Sequence, residues 1–134
     1  MNLTIFTDGG SLNNPGQAAY GFLIYDGKKL LHKQNERIGI ASNNVAEYTA
    51  LIQALMYVRD NLKSEIENIQ VYADSLLMVN QVKGLYKVKN ADIRPLHSHV
   101  KMLEMEIGMV IRYTHVLRDK NAEADALVKE ALGK

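Results

Sequence analysis

The segment Leu3-Thr4-Ile5-Phe6-Thr7-Asp8 alternates β-favouring residues, ends on an acid and runs into Gly9-Gly10. Its period of two and its β-branched and aromatic content predict a strand over 3–8 that stops at the glycine pair. The same design recurs at Ile69-Gln70-Val71-Tyr72-Ala73-Asp74. Two strands that each close on a carboxylate are a poor choice for stability. An acid facing a packed sheet costs several kcal/mol, roughly, unless something neutralises it.

Outward from the first strand, Ser11-Leu12-Asn13-Asn14-Pro15-Gly16 is a turn by composition. A second strand is expected over Ala19–Tyr25. Asp26-Gly27 then signals a hairpin into a third strand over about Lys29–Gly39. Ser42 or Asn43 can cap a helix from about Val45 to Asn61, whose apolar Leu51, Ala54, Leu55 and Val58 recur at three- to four-residue spacing. Beyond the fourth strand, Ser75 caps a shorter helix to about Val82. Ile93–Glu106 is a helix with Pro95 in its first turn, Met109–His115 alternates as a fifth strand, and Asn121–Leu132 is a closing helix with Gly133 just past its end. The order βββαβααβα joins an antiparallel meander to right-handed crossovers with parallel pairing. An α/β fold with a mixed five-stranded sheet and helices on both faces is the expected architecture.

With 134 residues, 47% of them apolar, the chain is expected to form a single domain over 1–134. A net charge of +1 is not the strong basic excess of a protein that holds nucleic acid by charge alone. The charge is uneven, however: residues 83–101 carry Lys83, Lys87, Lys89, Arg94 and Lys101 against Asp92 alone, a pattern that a solvated helix face also produces. The absence of cysteine excludes disulfides and thiolate zinc sites. Neither a signal peptide nor a run of about 20 apolar residues is evident, and a cytoplasmic protein is expected.

Four acids hold most of the functional information: Asp8, Glu47, Asp74 and Asp125. Each has an ordinary explanation when taken alone. Asp8 can start a turn, Asp74 can cap a helix, Glu47 can favour a helix dipole, and Asp125 can face solvent. Together they suit Mg²⁺ or Mn²⁺, which prefer oxygen ligands, and two such ions can clamp a phosphodiester.

The surroundings of the four acids resemble the type 1 ribonuclease H family across almost the whole chain. Thr7-Asp8-Gly9-Gly10-Ser11 with Asn13-Asn14-Pro15-Gly16 is similar to that family's first-strand motif. Ser42-Asn43-Asn44-Val45-Ala46-Glu47-Tyr48-Thr49-Ala50-Leu51 is similar to the motif opening its first long helix. Tyr72-Ala73-Asp74-Ser75 is similar to its fourth-strand signature, and residues 115–127 to its C-terminal motif.

The resemblance implies a ribonuclease H-like fold with strand order 3-2-1-4-5. It implies endonucleolytic cleavage of the RNA strand of RNA–DNA hybrids by two-metal hydrolysis, leaving 5′-phosphate and 3′-hydroxyl ends. It implies that Asp8, Glu47, Asp74 and Asp125 are catalytic and hold two Mg²⁺ or Mn²⁺ ions. Asp8 would bridge both, Glu47 and Asp74 would complete the site of the water-activating ion, and Asp125 would complete the other. Asn14, Asn43 and Asn44 match substrate-groove positions, with Gly9, Gly10 and Ser11 in close contact; short amides can read the 2′-hydroxyl that distinguishes RNA. Asn43 can equally serve as a helix cap. For the auxiliary catalytic group three options stand: His115, Arg118 or neither. His32, His97 and His99 are expected at the surface, and Tyr48, Tyr72 and Tyr113 in the core or the groove wall.

Two departures from the family pattern bear on substrate. Leu76 stands where some members have Gln, and residues 84–90 replace a basic, Trp-containing helix, which implies weaker hybrid binding. Lys83, Lys87 and Lys89 are the candidates to contact phosphates in its place, with steep salt dependence. The expected partner is an RNA–DNA hybrid, with no membrane and no obligate protein partner. Two other readings stay open: a DNA-cutting member of the same superfamily, and a non-catalytic module with the same fold.

Overall fold

The computed structural model describes residues 1–62 and 65–134. Its strands are β1 (Asn2–Ser11), β2 (Gly16–Asp26), β3 (Lys29–Ala41), β4 (Asn68–Ala73) and β5 (Ile111–His115). Its helices are α1 (Asn43–Tyr57), α2 (Leu76–Val82), α3 (Arg94–Ile107) and α4 (Ala122–Ala131), with a π turn over Val58–Leu62 extending the first. The strands form one sheet in the order β3-β2-β1-β4-β5. β1 and β3 lie antiparallel to β2, whereas β4 is parallel to β1 and β5 is parallel to β4. This is the mixed sheet that the meander and the crossovers predict.

Several element ends differ from those expected, and one of the differences shapes the site. β1 does not stop at Asp8. It continues through Gly9 and Gly10 to Ser11, paired with Tyr20, Ala19 and Ala18 of β2. Gly9 is there for close approach rather than for a turn. A Cβ on Gly9 would lie 2.2 Å from the Ala46 carbonyl carbon and 2.5 Å from the Glu47 nitrogen, so only glycine lets α1 rest its backbone on the strand. On β2, a Cβ at Gly21 would lie 2.7 Å from Leu127 Cβ, and α4 approaches the opposite face in the same way.

Side chains alternate across a strand, and β1 serves two layers. Leu3 and Ile5 point into the main core with Phe22 and Ile24 of β2, Tyr48, Leu51 and Leu55 of α1, Met78 and Val79 of α2, and Val100 and Leu103 of α3. Each fully buried aliphatic or aromatic side chain there contributes about 1.5–3 kcal/mol. Asp8 and Gly10 face the other way, toward α4, and Val128 Cγ1 of α4 sits 3.9 Å from where a Gly10 Cβ would be. α4 is tied down from β3: Asn35 Nδ2 donates to Leu127 O at 2.7 Å, and Arg37 Nε to Ala131 O at 2.7 Å.

The histidines are less exposed than their composition suggests. His32 pairs with Ile24 and so shares its core-facing side; its ring stacks 3.8 Å from Tyr57. His97 is half-buried, with Nε2 3.2 Å from Gln81 O, and His99 is half-buried as well. Tyr48 and Tyr113 are core residues, as expected, and the half-buried Tyr72 stacks on Phe6 at 5.4 Å.

Candidate active site

The parallel register of β1 and β4 sets Thr7 opposite Ala73. The next residue on each chain is an acid, so Asp8 and Asp74 emerge side by side. Ser75, directly after the second acid, caps α2: its hydroxyl accepts from Met78 N at 3.2 Å. Asp74 is therefore free of the capping duty that its position also permits.

Glu47 arrives from α1. Ser42 is the cap of this helix, accepting from Val45 N at 3.2 Å. Asn43 is released from that role and turns back to the sheet, where its Oδ1 accepts from Ser11 N at 2.8 Å. Glu47 falls just past the first turn, over Gly9, and not in the first turn where an acid would favour the helix dipole; its Oε1 accepts from Gly9 N at 2.6 Å. The helix backbone can come this close only because Gly9 lacks a side chain. Glycine and acid thus form one device.

Asp8, Glu47 and Asp74 each offer a carboxylate oxygen within 4.8 Å of the other two. Asp8 is 6% exposed and Glu47 7%. Like charges held this close and out of water resist ionisation. Asp8 is pushed up from 3.8 to about 7, first by burial, then by the charges of Asp74 and Asp125. Glu47 is raised well above the ordinary carboxylate range by burial, and further by Asp8 and Asp74.

Asp125 projects from the first turn of α4 into the same cavity, outside the tight group of three oxygens. Its Oδ2 lies 3.0 Å from Lys129 Nζ, one helical turn on. Arg118, 80% exposed in a 3₁₀ turn, holds Nε 4.0 Å from Asp74 Oδ2. Among the described residues, no Lys or Arg forms an ion pair with Asp8 or Glu47. The two most buried acids therefore lack a protein counter-charge. An all-oxygen donor set of this kind fits hard divalent cations such as Mg²⁺ or Mn²⁺.

The cavity measures about 500 Å³. It brings together all four acids, Gly9, Gly10, Ser11, Asn43, Asn44, His115 and Arg118. His115, the last residue of β5, pairs with Ala73 one position before the third acid, and is half-buried on the cavity wall. It and Arg118 face the same space. Asn14 does not line the cavity. Its Oδ1 instead accepts from Asn43 N at 3.0 Å, holding the turn over the start of α1.

Two residues near the acids were not singled out by the sequence: Lys129, which lines the cavity, and Asn121, which does not. Lys129 is visible in retrospect as an i, i+4 partner of Asp125. Asn121 is buried behind the acids and donates from Nδ2 to Thr7 O at 2.9 Å. Its position four residues before Asp125 gave only a helix start.

A sequence model of the RNase H family matches residues 1–133. The chain is 37% identical over 134 residues to a bifunctional protein of Mycobacterium tuberculosis, covering 98% of this chain and 36% of that protein. It is 36% identical over 129 residues to ribonuclease HI of Halobacterium salinarum, covering 95% of this chain and 62% of the other. It thus spans about a third of the mycobacterial relative. Among solved structures, it is similar to LC11-RNase H1, isolated from compost by a metagenomic approach and solved in complex with an RNA/DNA hybrid. The TM-score is 0.93 at 38% identity, covering 98% of this chain and 96% of that one. The RNase H1 structure from Halobacterium salinarum gives a TM-score of 0.89 at 34% identity, covering 99% and 98%.

Proposed function

This chain belongs to the ribonuclease H family, and on that premise we propose that it is a metal-dependent endonuclease that hydrolyses the RNA strand of RNA–DNA hybrids. The observation that carries the proposal is the convergence of Asp8, Glu47 and Asp74 to within 4.8 Å, with Asp125 on the same cavity. Those four carboxylates are assigned as the ligands of Mg²⁺ or Mn²⁺. Cations held there supply charge neutralisation at the phosphodiester and lower the pKa of a bound water.

The protein's own part is arrangement. The β1–β4 register fixes two ligands in adjacent strands, and the Gly9–Glu47 hydrogen bond fixes the third. Asn43 and Asn44, at the mouth of the same cavity, are placed to hydrogen-bond sugar hydroxyls of the RNA strand, where the 2′-hydroxyl separates RNA from DNA. Ser11 and the Gly9-Gly10 backbone allow close approach of the strand. His115 and Arg118, which line the same cavity, are the groups able to handle a proton or a phosphate oxygen. Residues 1–134 are read as a single ribonuclease H domain.

The test is one assay with end-labelled RNA–DNA hybrid, duplex DNA and duplex RNA, each with Mg²⁺, with Mn²⁺ and with chelator. Cleavage of the hybrid's RNA strand alone, only with metal and leaving 5′-phosphate and 3′-hydroxyl ends, is the expected result. Cutting of duplex DNA would replace this reading with a DNA nuclease. Hybrid binding without any cleavage would replace it with a non-catalytic module.

A further inference from the structure

We infer that Asn121 is a positioning residue, a strut that fixes the relation of Asp8 to Asp125 and thereby sets the affinity of the site for divalent cations. Asn121 is 1% exposed at the junction between a 3₁₀ turn and α4. Its side-chain amide donates to the Thr7 carbonyl at 2.9 Å, across 114 positions of sequence. That carbonyl belongs to the peptide group whose nitrogen is Asp8's own, so the bond holds the plane from which the Asp8 side chain departs. The backbone carbonyl of Asn121 meanwhile accepts from Asp125 N at 3.0 Å, in the first turn of α4. One buried residue therefore holds the main chain at both acids.

The use made of the side chain supports this role. Asn before a helix is a favoured cap, its oxygen accepting from the helix nitrogens. Here it makes no such bond with α4, and its donor is given to β1 instead. Among the described residues, the buried side-chain polar atoms without a hydrogen-bond partner are Asn121 Oδ1 and Thr7 Oγ1, the two residues joined at this strut. Unpartnered buried polar atoms lower stability and are uncommon in native cores. Groups one layer behind metal ligands, which orient them without touching the metal, are a recurrent feature of such sites.

The inference rests on the metal-dependent reading above, and the experiment separates the two. Mn²⁺ binding to the full chain is measured by titration calorimetry without substrate, beside kcat and KM on a hybrid. The variants are Asn121→Ala and Asn121→Leu, the second preserving bulk while removing the donor. Asn35→Ala is the control, since it removes a similar amide-to-carbonyl bond that holds α4 at its far side. Both Asn121 variants are expected to weaken Mn²⁺ binding about 10- to 100-fold and to lower kcat with KM for the hybrid unchanged. Asn35→Ala is expected to lose thermal stability while keeping the parent's Mn²⁺ affinity. Parental Mn²⁺ affinity in either folded Asn121 variant would overturn the inference, as would an equal loss in Asn35→Ala. If Asn121→Ala does not fold, Asn121→Leu decides. Absence of Mn²⁺ binding by the parent, or undiminished binding by Asp8→Asn, would instead bring down the metal-site reading and the strut with it.

Discussion

Replacing Asp8 by Asn is expected to make the metal-free protein more stable while destroying its activity. In the folded chain Asp8 is pushed from 3.8 to about 7 by burial and by the neighbouring acids. Between about pH 4 and pH 7 the folded chain therefore holds a proton that the unfolded chain has released. Stability falls as pH rises through that window, and the loss is complete above it. At 1.36 kcal/mol per pH unit the cost reaches about 4 kcal/mol. Asn cannot ionise and escapes this cost, although its amide must still be buried, so a net gain of about 2–4 kcal/mol is expected at pH 8. For a domain of this size that is a rise in Tm of about 6–15 °C. The assay is thermal unfolding of both proteins by circular dichroism in chelator, from pH 4 to 8.5. The advantage of Asp8→Asn should be near zero at pH 4, grow up to about pH 7 and then level off. Adding Mg²⁺ or Mn²⁺ should raise the Tm of the parent and leave the variant almost unmoved. A variant no more stable than the parent at pH 8, or an advantage that ignores pH, would refute the electrostatic reasoning.

Three further outcomes follow from other parts of the site. Gly9→Ala would drive a Cβ to 2.2 Å from the Ala46 carbonyl carbon, so a loss of about 3 kcal/mol or more in denaturant unfolding is expected, together with loss of cleavage. Lys129→Met frees Asp125 from an exposed ion pair worth about 0.5 kcal/mol, so half-maximal cleavage should need about twofold less Mg²⁺, measured by metal titration of the rate. Replacing Lys83, Lys87 and Lys89, all exposed, with Gln should flatten the dependence of log KM on log salt by about 0.9 for each lysine that meets a phosphate, while kcat at saturating hybrid stays the same.

How far the sequence could be read depended on the range of the interactions. The alternation in Leu3–Asp8 and Ile69–Asp74, the caps Ser42 and Ser75 and the stripe of α1 are local signals, and the elements built on them are present, with some ends shifted by a few residues. The convergence of the acids was legible because two of them terminate repeated strand patterns and all four sit in motifs that resemble those of the family; the parallel register then aligns the first two. Gly9-Gly10 misled, since glycine marks both turns and close approaches, and only the arrival of α1 distinguishes them. His32 misled because a polar ring on an edge strand reads as exposed until the pairing with Ile24 turns it inward against Tyr57. Asn121 and Asn14 act through backbone atoms far away in sequence, and no periodicity records such bonds.

The pairing of Thr7 with Ala73 has one more implication. Because side chains change sides at every step along a strand, a single residue inserted into the stretch before Asp8, if absorbed as a slip in pairing, would send that carboxylate into the greasy layer beneath α1. Every acid would still be present in the alignment, yet the site would be dismantled. Inactive cousins of this chain are therefore to be sought by the spacing from the first residue of β1 to its acid as much as by which letters have been lost.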